Sequence, residues 1–182
     1  MTALATLGTG GVTLEPFAER HLTPRYVAWL NDPEVVRYSE QRHRRHTLES
    51  CRAYCRSFAG TPHKFWAIIA APHGHVGNIT ATVDEPNRVA DLAILVGERS
   101  VWGRGVGARA WTLALEWLLG PGGMRKVTAG TMAENMAMLA IMRKSGMAEE
   151  GRRRAQYLFD GRPVDAVLAA RFAQSASQGS QE

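Results

Sequence analysis

The stretch Leu92–Leu118, LAILVGERSVWGRGVGARAWTLALEWL, decides how the rest of the chain is read. Leu92 to Val96 is an apolar run that reads as a buried strand. Three glycines follow within five residues, Gly103, Gly105 and Gly107. Apolar residues at Ala108, Trp111, Leu115 and Leu118 then recur at the spacing of a helix with one face on a core. Alternate glycines ahead of a helix leave backbone N–H groups bare and let a ligand approach closely. The first helical turn adds its own unpaired donors and the positive end of its dipole. Arg104 in the loop and Arg109 in the first turn add formal charge. Together these predict an anion site, best suited to a pyrophosphate. The plainer alternative is a turn that only joins strand to helix.

Gly103-x-Gly105-x-x-Ala108 formally satisfies the dinucleotide fingerprint, but its context fails. Glu98 and Arg99 lie among the residues that separate the strand from Gly103, and Val127 and Thr128 stand where an acidic residue is wanted, about 20 positions on. No Gly-Lys-Ser/Thr occurs, so the P-loop is excluded. The loop instead resembles motif A, Gln/Arg-x-x-Gly-x-Gly/Ala, of the GNAT superfamily of acetyl-CoA-dependent N-acetyltransferases. Gly105 and Gly107 match its small positions. Trp102 stands where Gln or Arg is usual, which is similar to the ribosomal-protein alanine acetyltransferase branch. Trp29-Leu30-Asn31-Asp32-Pro33-Glu34-Val35 resembles the end of that branch's first helix. Asn135-x-x-Met138-x-x-Ile141-Met142-x-x-Ser145-Gly146-Met147 resembles a third motif, Asn-x-x-Ala-x-x-Leu-Tyr-x-x-x-Gly-Phe.

At 182 residues the chain suits one domain with a substantial core. No apolar run is long enough to cross a membrane, and no basic-then-hydrophobic leader opens the chain, so a cytoplasmic location is expected. The net charge of +5 suits an anionic cofactor but is too scattered to argue for DNA. Cys51 and Cys55, four apart on an expected helix, read as core residues, since a metal site would need more ligands nearby.

In chain order, residues 1–10 read as a loose arm. Val12–Phe17 is a short strand in which Pro16 favours an edge or end. A helix over His21–Leu30 stops at Asn31-Asp32-Pro33. Thr47 caps a second helix. Strands follow at Phe65–Ala71, Val76–Val83 and Ala90–Val96, then the central helix, stopped by Gly120-Pro121-Gly122-Gly123. Val127–Met132 is a strand, Glu134–Ser145 a helix, and Glu149–Phe159 with Val164–Phe172 a long closing hairpin. Residues 174–182 read as a disordered tail, leaving 11–173 as a single domain. The order β-α-α-β-β-β-α-β-α-β-β is that of the GNAT fold, an α/β (α+β) arrangement with a mixed sheet of about seven strands and helices on both faces.

The resemblance implies acetyl-CoA as cosubstrate, with no metal. It assigns the cofactor surface to Leu95, Val96, Trp102, Gly103, Arg104, Gly105, Val106, Gly107, Ala108 and Met142, with Asn135 on the pantetheine arm. Met142 occupies the slot of the usual general-acid tyrosine, and a thioether has no proton to give. Ser145 or Tyr157 would replace it, unless the thiolate leaves unassisted. The acetyl group would pass directly to a primary amine in a ternary complex, the thioester oxygen polarised by backbone N–H groups near Leu95 and Val96. Alternation along Ala90–Val96 puts Asp91, Ala93 and Leu95 on one face, which makes Asp91 the expected base, through a water, with Glu98 as its rival. Ser39, Glu40, Gln41, Arg42 and His43, in the cationic segment between the first two helices, would select the acceptor. That acceptor is either a protein N-terminus or a small amine such as an amino-sugar nucleotide, and the cationic lip argues against polyamines and for a sugar nucleotide or an acidic peptide. An idle acetyl-CoA sensor and a basic ribosome- or nucleic-acid-binding module are the alternatives, and a monomer and a homodimer are both open.

Overall fold

The computed structural model describes residues 6–174. Eight strands form one sheet in the order β1-β2-β3-β4-β5-β6-β8-β7. They are β1 (Leu7–Thr9), β2 (Val12–Pro16), β3 (Lys64–Ala70), β4 (Gly74–Asp84), β5 (Val89–Val96), β6 (Lys126–Met132), β7 (Ala148–Phe159) and β8 (Arg162–Phe172). The helices are α1 (Pro24–Asn31), α2 (Leu48–Arg56), α3 (Val106–Leu119) and α4 (Met136–Lys144). The expected order of elements is present, with one strand more than expected. The extra strand corrects the loose-arm reading: Leu7–Thr9 pairs antiparallel with Val12–Leu14 and covers the edge of β2. Residues 1–5 and 175–182, including most of the expected tail, lie outside the described residues.

Alternation along the strands divides the core in two. Leu14, Trp66, Ile68, Ile79, Leu92 and Val127 point to one face, where they meet Trp111, Leu115 and Leu118 of α3 and Met142 of α4. The other face, through Phe17 and Leu95, carries Tyr26, Trp29 and Leu30 of α1 and Cys51 of α2. Helix α1 starts later than its apolar pattern suggests, because Thr23 caps it through the Tyr26 N–H and Pro24 takes a first-turn position where no donor is needed. Thr47 caps α2, as the sequence predicts, and the Ser50 side chain returns the bond to the Thr47 N–H. Among the described residues no helix is long and apolar enough to cross a membrane.

One feature of the sheet positions the site. Every neighbouring pair is antiparallel except β5 and β6, which run parallel and pair only over Val89–Lys126, Ala90–Val127 and Asp91–Thr128. Beyond Asp91 the two strands part. On its other side β5 stays in register with β4 to Val96, after which the Gly97 and Glu98 N–H groups both bond the Val76 carbonyl. That doubled bond is a bulge at the strand end, past Asp91, so the predicted facing of Asp91, Ala93 and Leu95 is kept.

Candidate active site

The gap between β5 and β6 continues into a cleft of about 450 Å³. One wall is the glycine loop and the start of α3. Gly103 and Gly105 have φ of 72° and 76°, a region open to glycine at little cost. Gly105 caps α3 without a side chain, so the N–H groups of Val106, Gly107 and Ala108 have neither a helical nor a side-chain partner among the described residues. Arg109 lies back across the loop, donating to the Arg104 carbonyl at 3.1 Å. It therefore braces the loop. Trp102 folds over in the same way, its Nε1–H donating to the Val96 carbonyl at 2.9 Å.

The end of β5 forms the floor. The Leu95 carbonyl turns toward β4, so close that a Cβ on Gly77 would lie 2.2 Å from it. Val96 points its backbone the other way, as its bond to Trp102 requires, and alternation sends the Val96 N–H into the cleft with its carbonyl. The far wall is Asn135, Ala137, Met138 and Ile141. Asn135 caps α4, its Oδ1 accepting from the Met138 N–H at 3.2 Å and its Nδ2 donating to Thr131 at 3.0 Å. It meets the cleft with its side chain already oriented.

Of the expected cofactor residues, Leu95, Val96, Trp102, Gly103, Gly105, Val106, Gly107, Ala108 and Asn135 line this cleft. Arg104 and Met142 do not. Met142 is 2 % exposed in the core under α3, while Met138 and Ile141, at the rim of the same core, reach the cleft.

The catalytic candidates are scattered. Ser145 is buried at the C-terminal end of α4, accepting from Trp111 Nε1 at 3.1 Å and donating to the Met142 carbonyl at 2.9 Å. It stands about 15 Å along the helix from Asn135, with its one proton spent, and is no general acid. Tyr157 packs with Met132, Phe159 and Val164, away from the cleft lining. Glu98 is tied to Ser100 and to the Arg25 guanidinium, which together hold its carboxyl at about pKa 2. Such a carboxylate is a poor base, and it does not line the cleft.

Asp91 closes the bottom of the gap, bonded to Thr128 Oγ1 at 2.8 Å. Crowding by the protein raises its pKa, with the Thr128 bond opposing. Leu95 lies four positions further on, about 13 Å along the strand. Cys51 and Cys55 have thiol pKa values raised by burial, the reverse of what a nucleophile needs.

The fourth wall contains residues that the sequence did not single out for chemistry. Glu34, Val35 and Tyr38 line the cleft beside Ser39. Glu34 is the one acidic side chain of the lining among the described residues. Its place in the Asn-Asp-Pro-Glu-Val run just after α1 was the available signal. Glu40, Gln41 and His43 stay outside the cleft. Arg42 is turned inward, donating to the Leu158 carbonyl at 3.2 Å and paired with Glu40 at 3.0 Å. It straps the segment down.

A family model described as an acetyltransferase (GNAT) domain matches residues 12–148. A GNAT-family acetyltransferase from Bacillus anthracis superposes with a TM-score of 0.78 at 15% identity, over 93% of this chain and 99% of that one. A ribosomal-protein alanine acetyltransferase from Vibrio fischeri gives 0.81 at 12%, over 94% and 98%. A spermidine N-acetyltransferase from Vibrio cholerae, solved with CoA and spermine, gives 0.79 at 16%, over 90% and 96%. No curated protein matches the chain in sequence. With the parted strands, the glycine-capped helix and the family model in agreement, the chain belongs to the GNAT acetyltransferase family.

Proposed function

We propose that this protein transfers the acetyl group of acetyl-CoA directly to a primary amine. The observation that carries the reading is the gap beyond Asp91 and Thr128, which opens beside three unpaired N–H groups at the start of α3. The pyrophosphate would rest on Val106, Gly107 and Ala108, with the pantetheine arm between β5 and β6. The Val96 N–H would hydrogen-bond the thioester oxygen as negative charge develops on it.

The amine, entering beside Tyr38, would hand its proton to Glu34 and attack the carbonyl carbon. A new C–N bond forms as the C–S bond breaks, and the sulfur leaves as thiolate. With Met142 buried and Ser145 spent, the Tyr38 hydroxyl is the cleft's candidate to protonate that sulfur. A thiol pKa of roughly 8.5 makes its help modest.

The test is release of free coenzyme A from acetyl-CoA with a panel of amines, alongside calorimetric binding of coenzyme A. Gly105→Val would force a β-branched residue into the left-handed region and block a close phosphate. Binding should weaken by about tenfold or more, that is about 1.4 kcal/mol. Unchanged affinity in a folded variant overturns the cofactor site. Tight binding with no turnover on any amine leaves an acetyl-CoA sensor instead.

A further inference from the structure

A second and larger concavity, of about 980 Å³, adjoins the cofactor cleft and shares Glu34 with it. It lies between the end of α1, the segment leading into α2 and the β7–β8 turn. Arg37, Arg44, Arg45 and His46 line it, against Glu34 and Asp160. Arg37 sits 3.9 Å from Asp160 and over the Phe159 ring. Arg44 and Arg45 are exposed, and no carboxylate among the described residues pairs with either.

Their backbone is nonetheless fixed. Asn31 grips His46 at both its N–H and its carbonyl, at 2.9 Å each. His46 Nε2 is buried in the wall with no partner among the described residues. Arg44 and Arg45 thus carry two guanidinium groups on a held backbone with no counter-charge among the described residues. An anion bound there would supply that counter-charge through charge-assisted hydrogen bonds.

We infer that the acceptor is a peptide whose N-terminal residue is followed by acidic side chains, the amine passing Glu34 into the cleft and the carboxylates lying along Arg44, Arg45 and Arg37. The inference rests on the acetyltransferase reading and names its substrate class. A polycation meets the wrong field. A nucleotide would need a free aromatic face for its base, and Phe159 has none: Tyr38 stacks on it at 5.3 Å and Arg37 covers it at 5.2 Å. A small amine would leave most of the volume empty, whereas an extended chain advancing about 3.3 Å per residue fills it with a few residues. Glu34 at the junction suits the ammonium end, so the two signs of the ligand match the two ends of the path.

The experiment compares acetyl transfer to two tetrapeptides, one with Asp and Glu after an N-terminal Ala and one with Asn and Gln in their place. The acidic peptide should have kcat/KM about tenfold higher or more, with the advantage shrinking as salt is raised. The Arg44→Gln/Arg45→Gln double variant should bring the ratio to about one. Equal use of both peptides by the wild-type chain overturns the inference, as does a double variant that keeps the ratio. Turnover of an amino-sugar nucleotide in preference to both peptides also overturns it, while leaving the acetyltransferase intact. If no amine is acetylated, calorimetric binding of the acidic peptide separates the two readings. Binding that is lost in the double variant supports the groove and sinks the activity, and no binding sinks the groove as well.

Discussion

On the cofactor side of the cleft, what faces a ligand is backbone: the N–H groups of Val106, Gly107 and Ala108, the Val96 peptide and the bare Cα atoms of Gly103 and Gly105. On the acceptor side it is the ends of side chains, Glu34 and Tyr38 in the cleft and Arg37, Arg44 and Arg45 in the groove beyond. Backbone donors keep their direction whenever the strand-loop-helix forms. A long side chain points where its neighbours allow, and its chemistry depends on contacts far away in sequence. The first surface is generic to one cofactor, and the second is free to select.

The largest expected effect probes the backbone side at a residue that touches no ligand. A Cβ on Gly77 would lie 2.2 Å from the Leu95 carbonyl oxygen and 2.9 Å from the Val96 Cα. Both are backbone atoms, so no side-chain rotation relieves the clash. Gly77→Ala should cost about 3 kcal/mol of stability and weaken coenzyme A binding, because β5 must shift where it presents the Val96 N–H. Gly103→Ala meets open space and should cost only the left-handed conformation, about 1–2 kcal/mol. Denaturant titration and calorimetry measure both. If Gly77→Ala melts and binds like the parent chain, the end of β5 is not held by that close approach.

The same contrast explains what the sequence made legible. The glycine spacing, the helix that follows it and the strand order are local patterns, and nine of the residues that the family resemblance offered for the cofactor line the cleft. Met142 failed because a motif slot specifies a place along a helix, while its burial depends on which side of α4 meets Trp111 and the sheet. Arg42, expected as a cation for an anionic acceptor, does line the groove beside Arg44 and Arg45, but its guanidinium is held on a carbonyl 116 residues away, a contact that no local pattern announces. Ser145 reads as a hydroxyl near the motif, but the Trp111 indole claims it. Leu7–Thr9 carries no strand pattern of its own and is ordered by the open edge of β2.

The second expected effect separates the two carboxylates. A base positioned to take the amine proton contributes roughly a hundredfold or more. Glu34→Gln should lower kcat/KM by about that factor across the pH–rate profile, with acetyl-CoA affinity little changed. Asp91→Asn should lose far less, since about 13 Å of strand lies between it and Leu95. If Asp91→Asn suffers the greater loss, the proton leaves through the floor of the gap and not across the acceptor wall.

The smallest effect is a pH dependence centred on the packing beneath α1. His75 packs among Tyr26 and Trp29 of α1, with His21 5.0 Å away, and its ring is hydrogen-bonded to the Gly77 carbonyl at 2.9 Å. Burial, followed by the charge of His21, lowers its pKa from 6.5 to about 4. Between those values the unfolded chain binds the proton and the folded one does not, so stability rises with pH across that window. The contribution is whole above 6.5 and is lost as pH falls toward 4, about 1 kcal/mol of it by about pH 5.5. His21, also lowered by burial, pulls in the same direction. His75→Gln retains a donor for Gly77 and removes the titration, so stability should change less between about pH 7.5 and about pH 5.5, by about 1 kcal/mol. An unchanged slope would assign the acid sensitivity elsewhere. Hydrogen exchange can localise it: α1, which rests its Trp29 ring on Gly97 with no room for a Cβ, should lose protection on acidification before α3 does. Loss in both helices together would mean that the acceptor wall and the cofactor wall open as one unit, and the division between them would be chemical only.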